Sequence, residues 1–221
     1  MNKAVIFDLD GTLVDTLPDI TFYTNYALRK YGIREITEPE VRNLICHASR
    51  KLMQLCAGIE DENDPLVDLC HDYYNEAYSI SGSPNTKVYD GIKDVLKELK
   101  ARGYKIGIFT NKLEPPTLDI YRNHLSDIEF DKIVGLKEGV KHKPDPTEII
   151  KMLDEFGVEK KNAYFVGDGD TDVLASKNAG VKCIAVTYGY RDKEILEALG
   201  ASIFADTPKE ILDIILKGEE S

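Results

Sequence analysis

The sequence predicts an α/β protein: a mostly parallel sheet covered by helices on both faces, interrupted near its start by an all-helical insertion. Three observations predict it. Short apolar, β-rich runs recur along the chain, helical periodicity fills the intervals between the later ones, and one interval of about seventy residues carries helical patterns alone.

The runs cover residues 4–7, 105–109, 132–134, 163–166, 183–186 and 202–204. Between the later ones, Ile92, Val95, Leu96 and Leu99 repeat at the spacing of one helix face, as do Ile149, Ile150, Leu153 and Phe156, and Ile211, Leu212, Ile215 and Leu216. Helix candidates stop at Gly32, Gly103, Gly157, Gly180 and Gly200, the residue type that closes a last turn at little steric cost. Strand, helix and glycine in alternation make βα units and hence a parallel sheet. The exception lies between Asp15 and Thr86. There residues 20–31, 38–45, 49–56 and 65–80 read as helices, and 81–85 (Ser-Gly-Ser-Pro-Asn) as a connector. The expected division is a core of residues 1–15 and 86–221 with a helical cap domain of residues 16–85.

Composition narrows the function. The 221 residues include 28 Lys+Arg and 39 Asp+Glu, for a net charge of −11, and 43% are hydrophobic. That is enough apolar material for a core and excludes global disorder. The acidic balance argues against a general binder of nucleic acid or anionic membrane, both of which are held by clustered Lys and Arg. No apolar run approaches the ~18–20 residues of a membrane span, and the N-terminal stretch stops at Asp8, too short for the apolar region of a signal peptide. Cys46, Cys56, Cys70 and Cys183 are too scattered for a disulfide framework and fit a reducing cytosol. The Cys46-His47 and Cys70-His71 neighbours would point about 100° apart on a helix and make poor chelates. A cytoplasmic monomer or homodimer, without nucleic-acid or membrane partners, is the expectation.

In open parallel sheets ligands bind beyond the carboxyl ends of the strands, so the residues that follow each run carry the information. Asp8, Asp10, Gly11 and Thr12 follow the first, and Thr110, Asn111 and Lys112 the second. Asp168, Asp170, Thr171 and Asp172 follow the fourth, and Lys143 precedes a helix that would bring it to the same rim. Singly, Asp10-Gly11 is an ordinary turn signal, and Asp170 or Thr171 an ordinary helix cap. Together, Asp8, Asp10, Asp168 and Asp172 would crowd one pocket. Two carboxylates ~4 Å apart repel by ~4 kcal/mol at an effective dielectric near 20, and one lysine cannot neutralise four. A hard divalent cation can, and an oxygen-only donor set points to Mg²⁺ rather than zinc. A rim of Thr, Asn, Lys and metal suits an anionic tetrahedral group. Asp8, beside metal and lysine, could attack phosphorus to form an aspartyl-phosphate; Asp10, two residues on, could protonate the leaving oxygen and later deprotonate water.

The residues that carry this chemistry also carry a family likeness. Phe7-Asp8-Leu9-Asp10-Gly11-Thr12-Leu13-Val14-Asp15-Thr16 resembles the first motif of the haloacid-dehalogenase-like hydrolases, Thr110-Asn111 the second, Lys143-Pro144 the third, and the segment from Gly167-Asp168 to Asp172 the fourth. The resemblance runs over essentially the whole chain. It implies a Rossmann-like core with a helical cap inserted after the first motif. It also implies Asp8 as nucleophile, Asp10 as acid/base, Thr110 and Lys143 on the phosphoryl group, and a Mg²⁺ ion held by Asp8, the Asp10 carbonyl and Asp168, with Asp172 orienting that shell. Thr12, Asn111 and Lys112 would complete the substrate rim. Asp10 argues against dehalogenation, since dehalogenases of the family lack it, and nothing around Lys51 marks the cap lysine of phosphonatases.

Within the family the chain is most similar to phosphoglycolate phosphatases, through Leu17-Pro18-Asp19, Thr110-Asn111-Lys112 and the segment from Val41 to Ala48. It departs from them at Cys46 and Ala48, where glycines are usual, and at Tyr89-Asp90-Gly91. The expected substrate is a small phosphorylated metabolite. Of the basic residues near the expected inward loop of the cap, Arg42, His47, Arg50 and Lys51, one or more are expected to contact its carboxylate, with His47 and Arg50 the named candidates; Arg50 and Lys51 could equally solvate a helix face. A sugar-phosphate mutase and a pyrophosphatase are enzymatic alternatives, and a silent phosphate-binding module the non-enzymatic one.

Overall fold

The computed structural model describes residues 2–45 and 48–218; among them are eight strands. These are β1 (Ala4–Phe7), β2 (Val14–Asp15), β3 (Lys87–Val88), β4 (Lys105–Leu113), β5 (Lys132–Leu136), β6 (Ala163–Gly167), β7 (Lys182–Val186) and β8 (Phe204–Ala205). Six make one sheet in the order β5-β4-β1-β6-β7-β8, with every pairing parallel. The chain builds outward from β1 first through β4 to β5, then through β6 to β8. The carboxyl ends of β1, β4 and β6 therefore meet where the winding reverses, which is where such sheets bind ligands.

The strands alternate between two cores. Val5, Phe7, Ile106, Ile108, Tyr164 and Val166 face one apolar cluster, whereas Ala4, Ile6, Phe109, Ala163 and Phe165 face the other. Period-two alternation sends successive side chains to opposite faces, and helices cover both. Helices α5 (Ile92–Ala101) and α10 (Pro208–Lys217) bury Leu96, Leu99, Ile211 and Ile215 on the first face; α7 (Thr147–Phe156) and α8 (Asp170–Ala179) bury Ile149, Leu153 and Ala175 on the second.

Between β2 and β3 lie four helices: α1 (Leu17–Lys30), α2 (Glu38–Leu44), α3 (Ser49–Ala57) and α4 (Pro65–Ser81). They close around a core of their own that includes Tyr23, Leu28, Val41, Met53, Cys70 and Tyr78. The chain enters and leaves this block side by side, because β2 and β3 pair antiparallel, Val14 with Val88 and Asp15 with Lys87. Asp19 fastens the junction. Its buried carboxylate accepts from the Asn85 backbone N–H at 3.1 Å and the Thr86 hydroxyl at 2.7 Å.

Several boundaries differ from the sequence reading. Helix α1 begins at Leu17 rather than residue 20, with Pro18 in its first turn, where the missing N–H costs nothing. Strand β4 runs on to Leu113, with a register shift between Phe109 and Leu113; such irregularities re-aim side chains beside binding sites. The β2–β3 ribbon, α6 (Glu114–Ile120) with the π-turn Tyr121–Leu125, and α9 (Lys193–Ala198) have no counterpart in the periodicity. The ribbon strands and α9 are too short for a pattern to show, and the stretch of α6 with its π-turn divides between two helical periods.

Candidate active site

The ends of β1, β4 and β6 and the inner side of the helical block enclose a cleft of about 860 Å³, including its solvent-open mouth. Its floor carries Asp8, Lys143, Asp168 and Asp172. Lys143, 2% exposed, lies at the focus, with Nζ 2.7 Å from Asp8 Oδ1 and 2.6 Å from Asp172 Oδ1. Asp8, Asp168 and Asp172 can each bring one carboxylate oxygen within 4.8 Å of the others. Three buried carboxylates around one ammonium leave an excess of negative charge.

That excess shows in the protonation equilibria. Burial and the neighbouring Asp172 push Asp8 well above the ordinary carboxylate range, against the pull of Lys143. Burial, again aided by Asp172, pushes Asp168 up to about 7. On Lys143 burial acts downward, but Asp172 and Asp8 outweigh it and hold the ammonium above its ordinary value. A desolvated carboxylate group of this kind is stabilised when a cation neutralises it. The donors are all oxygen, and Asp8 Oδ1 accepts no well-aligned hydrogen bond although it is buried. The set fits a hard divalent ion.

Neighbouring atoms hold these carboxylates in place. Thr12 Oγ1 donates to Asp168 Oδ1 at 3.0 Å and the Tyr190 backbone N–H to Asp168 Oδ2 at 2.8 Å. The Gly169 N–H donates to Asp172 Oδ2 at 2.9 Å. Glycine packing completes the cradle. A Cβ on Gly11 or Gly189 would stand 2.3 Å from an Asp168 atom, and one on Gly167 2.4 Å from Asp172. No side chain larger than hydrogen fits at these three positions without moving the carboxylates.

Asp10 stands apart from that group. Its Oδ1 receives Lys112 Nζ at 3.0 Å and the Thr16 hydroxyl at 2.5 Å, and Lys112 in turn lies 4.6 Å above the Tyr78 ring of α4. Thr110 lines the cleft, and its hydroxyl accepts from the Lys112 N–H at 3.1 Å. Asn111 also borders the cleft, yet its amide is used on the backbone of Lys143, donating to the carbonyl at 3.1 Å and accepting from the N–H at 2.8 Å. Asn111 thus sets the position from which Lys143 reaches in.

Two expected substrate contacts are not where the sequence reading put them. Thr12 is fully buried behind Asp168 and does not border the cleft, because the tight turn at Gly11 (φ +79°) directs its hydroxyl onto that carboxylate. Arg50 faces outward along α3, where it pairs with Asp68 at 2.7 Å and the Glu62 carbonyl at 2.9 Å, and it too is absent from the cleft wall. His47 and Cys46 lie outside the described residues.

Tyr190 was missed. Its backbone holds Asp168, while its hydroxyl accepts from the Thr16 and Leu17 N–H groups at 2.8 and 3.1 Å, at the entry to α1. Arg191 beside it makes a two-pronged ion pair with Asp170 at 2.7 and 3.0 Å. The signal was available: residues 187–191 follow the fifth apolar run, as the other site residues follow theirs. Tyr74 and Tyr78 pack in the helical core and also line the cleft.

The switch point of the parallel sheet thus gathers an aspartate-lined pocket around one lysine, and the comparisons place the chain among hydrolases. The family model for haloacid dehalogenase-like hydrolases matches residues 5–186, and the chain belongs to that family. Its relatives include the phosphoglycolate phosphatase of Rhodospirillum rubrum, 34% identical over 93% of this chain and 88% of that one. They also include the N-acetylmuramic acid 6-phosphate phosphatase of Pseudomonas aeruginosa, 30% identical over 96% and 94% of the two chains. Among solved structures, a predicted phosphoglycolate phosphatase from Haemophilus somnus matches with a TM-score of 0.86 at 26% identity, covering 96% of this chain and 97% of the other.

Proposed function

We propose that this protein is a Mg²⁺-dependent phosphomonoesterase that hydrolyses a small phosphorylated metabolite through an aspartyl-phosphate on Asp8. One observation carries the reading: the Lys143 ammonium bridges Asp8 and Asp172 on the floor of a cleft whose third buried carboxylate is Asp168. A Mg²⁺ ion held by Asp8, Asp168 and Asp172 would offset the charge of carboxylates and phosphate, so that the two can approach.

In the first step an Asp8 carboxylate oxygen attacks phosphorus and the ester P–O bond breaks. Asp10, held by Lys112 and Thr16, gives its proton to the departing alkoxide. In the second step Asp10 takes a proton from water as the water oxygen attacks the same phosphorus, releasing inorganic phosphate and restoring Asp8. Lys143 offsets charge on the equatorial oxygens and pulls Asp8 toward its ionised form. Thr110, on the cleft wall, holds the phosphoryl group together with Lys143, and Asn111 keeps the β4 end in register with that lysine. Residues 16–85 act as a cap, closing through the β2–β3 ribbon to exclude water while the leaving group is bound.

Phosphate release from p-nitrophenyl phosphate tests the reading. Turnover that requires Mg²⁺, stops with EDTA and is lost in Asp8→Asn is the expected result. Activity that survives either treatment contradicts it. Phosphoglycolate and sugar phosphates, the substrate types named for the relatives above, are the first metabolites to compare.

A further inference from the structure

On the helical side of the cleft, Ser49 at the start of α3 and Asn75 on α4 both line the wall, and both reach one atom, Nε2 of half-buried His71. Ser49 Oγ is 2.8 Å from it and Asn75 Nδ2 3.0 Å. An amide nitrogen can only donate, so Nε2 accepts and the ring is neutral, with its proton on Nδ1. At 2.8 Å the serine hydroxyl also turns its hydrogen toward the ring, since two facing lone pairs would repel. Burial pulls the imidazole below its ordinary value, in the same sense. The Ser49 hydrogen and one of the two Asn75 amide hydrogens are used on His71, so the pair presents to the cleft a neutral, mostly accepting set: Oδ1 of Asn75, the lone pairs of Ser49 and one remaining amide N–H.

Among the described residues, the cations of the helical block that could read a carboxylate are engaged elsewhere. Arg50 is held by Asp68 and the Glu62 carbonyl, Arg42 by the Gly189 carbonyl at 3.3 Å and Asp192 at 3.8 Å, and Lys51 by Gln54 at 2.7 Å. Among the described residues that line the cleft, Lys112 and Lys143 are the cations, and each already holds carboxylate oxygens. Ile20, Ile45, Leu52, Tyr74 and Tyr78 make up much of the remaining helical wall. Neutral acceptors set in an apolar and aromatic surface suit a hydroxylated carbon skeleton.

We infer that Ser49 and Asn75, oriented by His71, form a leaving-group subsite that accepts hydrogen bonds from substrate hydroxyls, and that the substrate is a polyol or sugar phosphate monoester rather than a phosphorylated acid. This rests on the phosphatase reading above and gives it a substrate class. A carboxylate could accept the one remaining Asn75 amide hydrogen but has no proton for Asn75 Oδ1 or the Ser49 lone pairs, which would be left unpartnered, whereas a hydroxyl can both donate and accept.

Steady-state kinetics with Mg²⁺ on phosphoglycolate, glycerol 3-phosphate, ribose 5-phosphate, glucose 6-phosphate and p-nitrophenyl phosphate test it. The best hydroxylated ester is expected to exceed phosphoglycolate in kcat/KM by at least about tenfold. Asn75→Leu is expected to lower the ratio of kcat/KM for that ester over p-nitrophenyl phosphate by about tenfold, mainly through KM. Ser49→Ala, a smaller change, should move the ratio the same way and secures the test if the leucine variant misfolds. The inference is overturned if phosphoglycolate is the best substrate, or if both subsite variants leave the ratio unchanged. Silence of the wild-type protein on the whole panel, p-nitrophenyl phosphate included, would instead defeat the phosphatase reading and the inference with it.

Discussion

The two walls of the cleft are built on opposite principles. The sheet rim is ionic: Asp8, Asp168 and Asp172 surround Lys143, with Asp10 against Lys112, and backbone N–H groups, hydroxyls or glycine packing hold Asp168, Asp172 and Asp10. The helical wall is neutral, with tyrosine rings, aliphatic side chains and a Ser49–His71–Asn75 network whose one titratable ring is kept uncharged. Charge transfer at phosphorus needs the first kind of surface, fixed in advance so that little reorganises during reaction. Discrimination among leaving groups needs the second, where an unmatched hydrogen bond is costly because no charge compensates it. Changes on the rim should therefore alter turnover of every substrate, and changes on the helical wall the ranking of substrates.

The largest effect is expected from Asp8→Asn. The amide keeps size and shape but lacks the nucleophilic oxygen, and turnover of any ester should fall by at least ~10³-fold. Equal loss across unrelated substrates, measured as phosphate release, is what assigns Asp8 to the ionic wall. A loss confined to one ester would blur the contrast between the walls.

Lys143→Met comes next. It leaves Asp8 and Asp172 facing each other without their shared cation inside a site almost closed to solvent. Breaking a buried ion pair from one side costs about 3–5 kcal/mol, so urea unfolding without metal should show a drop of that order along with lost activity. Mg²⁺ should restore part of the stability.

Metal-free protein should also respond to pH in a specific direction. Asp168 has its folded value raised to about 7, so its protonated form favours the fold. That contribution is complete below the unfolded carboxylate range and is lost as pH rises through about 7. Burial and Asp172 shift Asp8 the same way. The Tm in EDTA should therefore fall between about pH 5 and 8, and Asp168→Asn should flatten the slope. Saturating Mg²⁺ should offset the fall, since an ion at 100-fold its Kd adds about 2.7 kcal/mol.

Legibility in the sequence follows the same contrast. The strands and the acids behind them could be read because a parallel sheet places its chemistry at strand ends, so Asp8, Thr110 and Asp168 are one or two residues from an apolar run. Partnerships could not. Lys112 meets Asp10 across 102 positions, and the Tyr190 hydroxyl meets the Thr16 N–H across 174; no local period encodes either. On the helical wall, a charged residue such as Arg50 has the same pattern whether it faces ligand or solvent. Its direction is settled by Asp68, on the neighbouring helix. His71 and Asn75 are one helical turn apart and could have been paired in advance, but Ser49, which makes them a network, comes from another helix.

Tyr190→Phe probes the seam between the walls. Its hydroxyl is the acceptor for the Thr16 and Leu17 N–H groups, while its backbone N–H, unchanged by the substitution, holds Asp168. Losing the oxygen should cost about 1–3 kcal/mol in urea unfolding. If the seam carries cap closure, kcat should fall more than the dependence on Mg²⁺ concentration shifts. A change in Mg²⁺ dependence alone would place Tyr190 with the ionic rim instead.

The smallest effect is expected from Arg50→Ala, and it is informative because it is small. The Arg50–Asp68 pair is 2.7 Å long, but its side chains are 41% and 58% exposed, and solvent-exposed ion pairs contribute little to stability. The guanidinium also faces away from the cleft. Its removal should leave KM for every ester within about twofold and lower stability by no more than that small amount. A large rise in KM for phosphoglycolate alone would show that the helical wall recruits a cation during turnover, and its neutrality would then belong to the resting arrangement rather than to substrate selection.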